Sequence, residues 1–282
     1  MKTLLSLGHG FSAQALTRLL LPLGWRIIGT TRTAEQAETL RASGIETLIV
    51  PGDDLAPALA AATHLLVSAG PNEAGDPMLT AHPDIATSQF EWAGYLSTTG
   101  VYGDHAGGWV DEDTELTPST RRGQWRKAAE SAWIETNLPL HIFRLAGIYG
   151  PGRGPFAKVR AGTARRTIKP GQVFSRIHVD DIAQTVLASI QRPNPIRAYN
   201  LCDDDPAPPQ DVIAHAADLL GLPVPKAIPI EDAEMTPMAR SFYAESKRVR
   251  NNRIKDELDI KLIYPTYREG LAALLSAEGK AR

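Results

Sequence analysis

The sequence predicts an α/β protein built on a doubly wound parallel sheet with a smaller C-terminal substrate-binding region. Three observations carry that expectation. Short apolar runs alternate with segments of helical periodicity through the first 150 residues. The runs show little polar alternation of their own, as strands buried on both faces do. The first run ends in glycines, at "LGHGFSA", where a strand turns sharply into a helix.

Leu4–Leu7 reads as the first strand, and Phe11, Ala15, Leu16, Leu19 and Leu20 then fall on one helical face. Trp25–Ile28 is the second strand, completing a βαβ unit in about thirty residues. The alternation continues with a strand over 45–50, a helix over 55–62, a strand over 64–70, a helix over 84–93, a strand over 94–99, a helix over 127–136 and a strand over 140–150. After Gly150 the rhythm changes. Residues 151–175 are rich in Gly, Pro, Arg and Lys and read as a long excursion; 177–191 is helical, 197–204 a strand and 209–221 a helix. Two helical patterns, 246–258 and 266–275, close the chain. We expect a dinucleotide-binding domain over 1–150 and a mainly substrate-binding region over 151–282, with 175–202 returning to pack on the first domain.

Composition narrows the function. Apolar residues at 43% and charged residues at 22% suit an ordinary globular protein. The N-terminal apolar run is cut at once by Gly8 and Gly10, too short for a signal or a membrane span, so a cytoplasmic protein without a membrane partner is expected. A net charge of −2 supplies no global basic field for nucleic acid. The single cysteine, Cys202, excludes an intrachain disulfide and a thiolate cluster and reads as a buried structural thiol. The seven histidines form no i, i+4 pair with a nearby carboxylate, so no metal site is expected.

Gly8, Gly10 and Ala13 form G-x-G-x-x-A between strand and helix. The first glycine permits the tight turn, the second lets a pyrophosphate approach the backbone, and the small third residue lets helix pack on strand. The helix starting at Phe11 then offers its free N–H groups and positive end to the anion. A purely structural glycine turn is the alternative. The second strand ends in Thr30, Thr31 and Arg32, where an NAD site would place a carboxylate for the ribose 2′-hydroxyl. A guanidinium suits a 2′-phosphate, so NADP is favoured over NAD, unless Arg32 is simply solvated. Ser68, Ala69 and Gly70, closing the fourth strand, complete the cofactor set.

With these residues in place, the chain resembles the extended, atypical short-chain dehydrogenases/reductases, in particular the NAD-dependent epimerase/dehydratase family. The resemblance runs over almost the whole length, through "GHGFSA", "LSTTGVYGD", "FRLAGIYGPGR", "SRIHVDDIA" and the segment 199–225. It implies an N-terminal Rossmann domain, a cofactor across the carboxyl ends of the strands, Tyr149 near the nicotinamide or the substrate mouth, and a homodimer through helices flanking the sheet. It also implies that Thr98 orients the substrate oxygen. The family's Tyr-x-x-x-Lys pair should then fall in "TPSTRRGQWRKAAE", but aligning Gly123 and Glu130 places Arg122 at the tyrosine and Arg126 at the lysine.

That departure decides the chemistry. A phenol near pKa 10 can be tuned to exchange a proton with a carbonyl or alcohol. A guanidinium does not deprotonate in proteins, so Arg122 cannot replace that acid, although Arg126 can keep the cation beside the nicotinamide ribose. Tyr102, on the strand-end loop with Thr98, is the candidate substitute, against its usual structural role. His178, Asp180 and Asp181 read as a helix start, and Asp111–Asp113 as a solvated loop. Arg153, Arg165, Arg166 and Lys169, with Arg240, Lys247, Arg248, Arg250 and Arg253, suit a phosphate-bearing small molecule such as a sugar nucleotide, or a solvated face. Two functions stand: oxidoreductase or epimerase chemistry on a carbonyl or sugar-nucleotide-like substrate, or an NADP(H)-sensing regulatory protein that moves no hydride.

Overall fold

In the computed structural model, which describes residues 1–280, seven strands pair in parallel throughout: β1 Thr3–Leu7, β2 Arg26–Thr31, β3 Glu46–Ile49, β4 His64–Val67, β5 Trp92–Thr98, β6 Leu140–Leu145 and β7 Arg197–Leu201. Their order is β7-β6-β5-β4-β1-β2-β3. The chain builds outward from β1 to β2 and β3 on one side, then from β4 to β7 on the other. The order therefore reverses between β1 and β4, and a crevice opens at their carboxyl ends, where open α/β sheets bind ligands.

Both faces are covered, which explains the uninterrupted apolar runs. On one face Leu4 packs with Leu16 of the helix Phe11–Leu20 and with Ile182 and Val186 of the helix Val179–Gln191. On the other, Leu5, Leu7 and Tyr95 pack with Ala129 and Trp133 of the helix Arg121–Glu135. Trp133 is fully buried and donates its indole N–H to Asp76 at 2.9 Å, so its polar end is satisfied. A third cluster, including Tyr149, Phe156, Ala216, Tyr267 and Leu271, joins the helices Pro209–Leu219 and Tyr267–Lys280 to the excursion after β6. No described helix is long and apolar enough to cross a membrane.

Several elements differ from expectation. Residues 84–93 are not a helix: Asp76 caps a short helix at Pro77–Ala81, a 3-10 turn covers Pro83–Thr87, and Trp92 already belongs to β5. Trp92 is fully buried, so the apolar content that suggested a helical face begins a strand. The helix Ala34–Ala42, capped by the Thr33 side chain, was not anticipated. The run 140–150 divides after Leu145, and Gly147–Tyr149 leaves the sheet to pair with Arg176–His178. Residues 246–258 are a strand at Arg248–Val249, paired with Trp109–Val110, followed by a helix only from Asn252 to Leu258.

Candidate functional site

The end of β1 turns into the crevice at Gly8. Its φ is +80°, and a Cβ there would lie 2.9 Å from the Ala69 nitrogen, so only glycine lets the end of β1 run this close to Ser68–Gly70. Ser68 and Ala69 both donate backbone N–H groups to the Leu7 carbonyl, at 2.8 and 3.2 Å, fixing the loop against β1. Gly8 N–H donates to Thr30 Oγ1 at 2.8 Å, which ties the same turn to β2. Gly10 then caps the helix Phe11–Leu20 with no side-chain hydrogen bond and no acidic residue in the first turn. Its N-terminal N–H groups and dipole are left to an outside anion. Ala13 is fully buried under this helix, and Phe11, half-buried, lies 5.6 Å beneath the Arg153 guanidinium. His9 packs on Gly29, where a Cβ would sit 2.8 Å from its ring, and burial pushes its pKa down to about 4, so it stays neutral.

At the end of β2, Arg32 is exposed and has no ion-pair partner among the described residues. Thr31 is buried, and its hydroxyl donates to Gln36 at 2.5 Å, so it shapes the strand end rather than offering a free hydroxyl.

The other half of the crevice is built on β5. Thr98 Oγ1 accepts from Gly100 N–H at 3.2 Å and starts the turn Thr99–Tyr102. The helix Arg121–Glu135 presses on that turn through Gly123, where a Cβ would lie 2.7 Å from the Gly100 carbonyl. Arg126 donates through Nη1 to the Tyr95 hydroxyl and the Leu96 carbonyl, both at 3.0 Å. Its Nη2 faces Gly70, 3.7 Å from where a Cβ would stand. It therefore bridges the ends of β4 and β5 with one edge free. Arg122 lies one turn earlier on the same helical face, exposed, with its guanidinium 5.9 Å from the Phe242 ring. Arg121 is occupied, pairing with Glu73 at 3.3 Å and lying 5.1 Å from the Trp125 ring.

Tyr102 does not stand in this crevice, and the expectation of an acid there is corrected. Its side chain is fully buried; the hydroxyl donates to Asn200 Oδ1 at 2.7 Å and accepts from Arg144 Nη1 at 3.0 Å. Burial pushes its pKa up to about 12, further from proton exchange near neutrality. Arg144 is itself clamped by Glu130, with Nη2 to Oε2 at 2.9 Å, and Glu130 also accepts from Ser97. A charged residue inside an apolar strand must find a buried partner. Arg144 in "IFRLAG" is the sequence signal for this network.

Tyr149 is likewise corrected. Its ring stands edge-on to His178 at 5.1 Å, and a Cβ on Gly270 would lie 2.1 Å from its hydroxyl, so it belongs to the core under the last helix rather than to the cofactor side. His178 caps the helix Val179–Gln191 by accepting from Asp180 N–H at 3.2 Å, and Asp181 accepts from the Ile263 and Tyr264 N–H groups. Glu112 is not solvated: it is buried and accepts from Asn200 N–H at 2.8 Å.

Most of the basic residues expected to meet a phosphate-bearing substrate are engaged internally. Lys169 donates to the Tyr243 carbonyl, Arg166 to the Gln210 and Pro225 carbonyls, and Arg240 to the Ala233 carbonyl. Lys247 pairs with Glu245 at 2.8 Å, Arg253 with Asp113 at 2.6 Å, and Arg248 donates to the Gly107 carbonyl.

No family model matches the chain. Protein YeeZ of Escherichia coli (strain K12) is 29% identical over 285 residues, covering 94% of this chain and 97% of that protein. A 3-diazoavenalumate denitrifying reductase of a Streptomyces species is 28% identical over 57% of this chain and 58% of its own length. Among solved structures, a functionally unknown conserved protein from Silicibacter pomeroyi DSS is 60% identical with a TM-score of 0.94, covering 99% of both chains. A putative NAD-dependent epimerase/dehydratase from Methylobacillus flagellatus is 25% identical with a TM-score of 0.71, over 99% of this chain and 98% of that one. UDP-glucuronic acid 4-epimerase from Bacillus cereus, in complex with NAD, shares the fold at 16% identity with a TM-score of 0.76, over 97% and 96%.

Proposed function

Because the chain belongs to the NAD-dependent epimerase/dehydratase family of extended short-chain dehydrogenases/reductases, we propose that it binds a nicotinamide dinucleotide, NADP(H) in preference to NAD(H), and acts as an oxidoreductase on a small molecule. The observation that carries the reading is the uncapped N-terminus of the helix Phe11–Leu20 behind a glycine turn that no side chain could replace. In this assignment Gly8, Gly10 and Phe11 hold the pyrophosphate, with Ala13 keeping the helix close to β1. Arg32 takes the 2′-phosphate, Ser68–Gly70 line the nicotinamide half, and the free edge of Arg126 meets the ribose. The dinucleotide, when bound, supplies or accepts a hydride. Thr98 orients the substrate, and the proton that accompanies the hydride does not come from Tyr102, whose hydroxyl is buried against Asn200 and Arg144.

The buried Tyr102 hydroxyl favours a second reading, in which the dinucleotide is sensed and no hydride moves. Calorimetric titration with NADPH, NADH, NADP⁺ and NAD⁺, repeated on Arg32→Ala, tests the binding. Tight NADP(H) binding weakened selectively by Arg32→Ala supports the site; failure of a folded, cofactor-free preparation to bind any of the four overturns both readings. NADPH oxidation across a panel of carbonyl compounds then separates enzyme from sensor.

A further inference from the structure

We propose that Arg122 is a substrate-anchoring residue, and that the substrate is a small carboxylate-bearing molecule rather than a sugar nucleotide. This rests on the reading of the crevice as the substrate side of a dinucleotide site. Arg122 differs from its neighbours on this helix in having no hydrogen-bond acceptor. Arg121 has Glu73, Arg126 has Tyr95 and Leu96, and Glu245 is taken by Lys247 and Ser119. Arg122 has no hydrogen bond or ion pair among the described residues. Its guanidinium lies 5.9 Å from the ring of Phe242.

That contact leaves the donors unspent. An aromatic ring offers a guanidinium attraction but no acceptor for its N–H fork, and the fork matches a carboxylate in two parallel hydrogen bonds. Arg122 shares a helix face with Arg126, whose Nη2 faces Gly70, which places it on the side of this helix turned toward the end of β4. A carboxylate bound there would put its adjoining carbon toward the turn that Thr98 starts, against which the neighbouring Gly123 packs. Few free cations are left for a diphosphate: most of the basic side chains of the C-terminal region are engaged with backbone carbonyls or carboxylates, and the unpaired Arg153 and Arg250 lie over the Phe11 and Trp109 rings rather than beside Phe242.

The test measures equilibrium binding, not turnover, on the protein saturated with NADP⁺, which has no hydride to give to 2-oxobutanoate. Benzoate and 2-oxobutanoate are titrated calorimetrically against their uncharged amides and against UDP-glucose, for the wild type, Arg122→Gln and Arg122→Lys. Both carboxylates should bind at least about tenfold more tightly than their amides, as a charge-assisted hydrogen-bond pair provides. Arg122→Gln should remove that advantage, Arg122→Lys should restore part of it, and NADP⁺ affinity should be the same in all three proteins. Carboxylates that bind no better than amides, an Arg122→Gln variant that keeps the preference, or UDP-glucose binding that depends on Arg122 would each overturn the proposal. Loss of NADP⁺ binding in the wild type would instead overturn the parent reading, and carboxylate titration of the cofactor-free protein separates the two failures.

Discussion

Replacing Tyr102 by Phe removes one hydroxyl that accepts from Arg144 at 3.0 Å and donates to Asn200 at 2.7 Å. Both partners are buried, so the change strands one guanidinium N–H and the Asn200 side-chain oxygen. An unsatisfied buried group costs about 1–3 kcal/mol. Arg144 Nη1 also reaches the Glu112 carbonyl at 3.4 Å, which offsets part of its loss. The total is therefore about 2–4 kcal/mol. A chain of 282 residues, at about 2.1 cal/mol/K of unfolding entropy each, has about 0.6 kcal/mol per kelvin at its midpoint, so Tm should fall by about 3–7 °C. The assay is a calorimetric melt of both proteins beside an NADPH titration. The dissociation constant should stay within about twofold, because the hydroxyl never reaches the crevice. An unchanged Tm, with NADPH-dependent turnover abolished, would refute the assignment of Tyr102 to the structural network.

Gly8→Ala forces an L-residue to φ +80°, at about 1–2 kcal/mol, and drives a Cβ to 2.9 Å from the Ala69 nitrogen. NADPH affinity should drop by at least about tenfold, as isothermal titration will show; wild-type affinity would remove Gly8 from the site. Glu130→Ala should cost about 3–5 kcal/mol in urea denaturation, since Arg144, 8% exposed, is left buried without its counter-charge. The pair Glu130→Leu with Arg144→Met should recover most of that loss. For His9 the folded pKa is depressed to about 4 from 6.5, so its stabilisation is present above pH 6.5 and is lost as pH falls toward 4. The full loss is about 3 kcal/mol. Asp203, whose pKa burial pushes up to about 8, acts oppositely over this window, because its folded form holds a proton that the unfolded chain has released. The measurable quantity is accordingly the difference between wild type and His9→Asn, whose stability profiles should diverge in slope between pH 6.5 and 4; parallel profiles would show that His9 is protonated without penalty.

The parallel sheet was legible because double burial leaves a direct mark, apolar runs without alternation, and because Gly8 has a steric reason to be glycine. Trp92 was misassigned for a related reason: over a short window an apolar cluster fits either period until tertiary packing chooses. The helix Ala34–Ala42 escaped notice because its sequence, "AEQAETLRA", buries only Ala37 and Leu40, and so shows little apolar periodicity. The site divides in the same way. The glycine turn was readable from local geometry alone. The fate of Tyr102 was not, since it depends on Asn200 and Arg144, 98 and 42 residues away in the chain. Arg122 was visible as a departure from the family pattern, but its meeting with Phe242, a contact across 120 positions, was beyond any spacing rule.

The helix Arg121–Glu135 shows why a family pattern can persist around an altered centre. Gly123 is required by a backbone contact with Gly100, and Glu130 by the buried charges of Arg144 and the hydroxyl of Ser97. Changing either costs folding energy whatever the chemistry. The positions that face the crevice carry no such obligation: Arg122 is exposed, and Arg126 needs only reach Tyr95 and Leu96. A guanidinium at these two positions leaves the scaffold intact and, at 122, presents a fixed positive charge where the family resemblance implies a tyrosine. On the proposed reading, the fold constrains where a substrate sits and the first turn of one helix sets what kind of substrate it is. Exchanging Arg122 should therefore change ligand preference without moving Tm, whereas exchanging Gly123 or Glu130 should move Tm first. Parallel melting and binding curves on the three variants distinguish the two kinds of residue, and a large Tm loss in Arg122→Gln would show that the division is wrong.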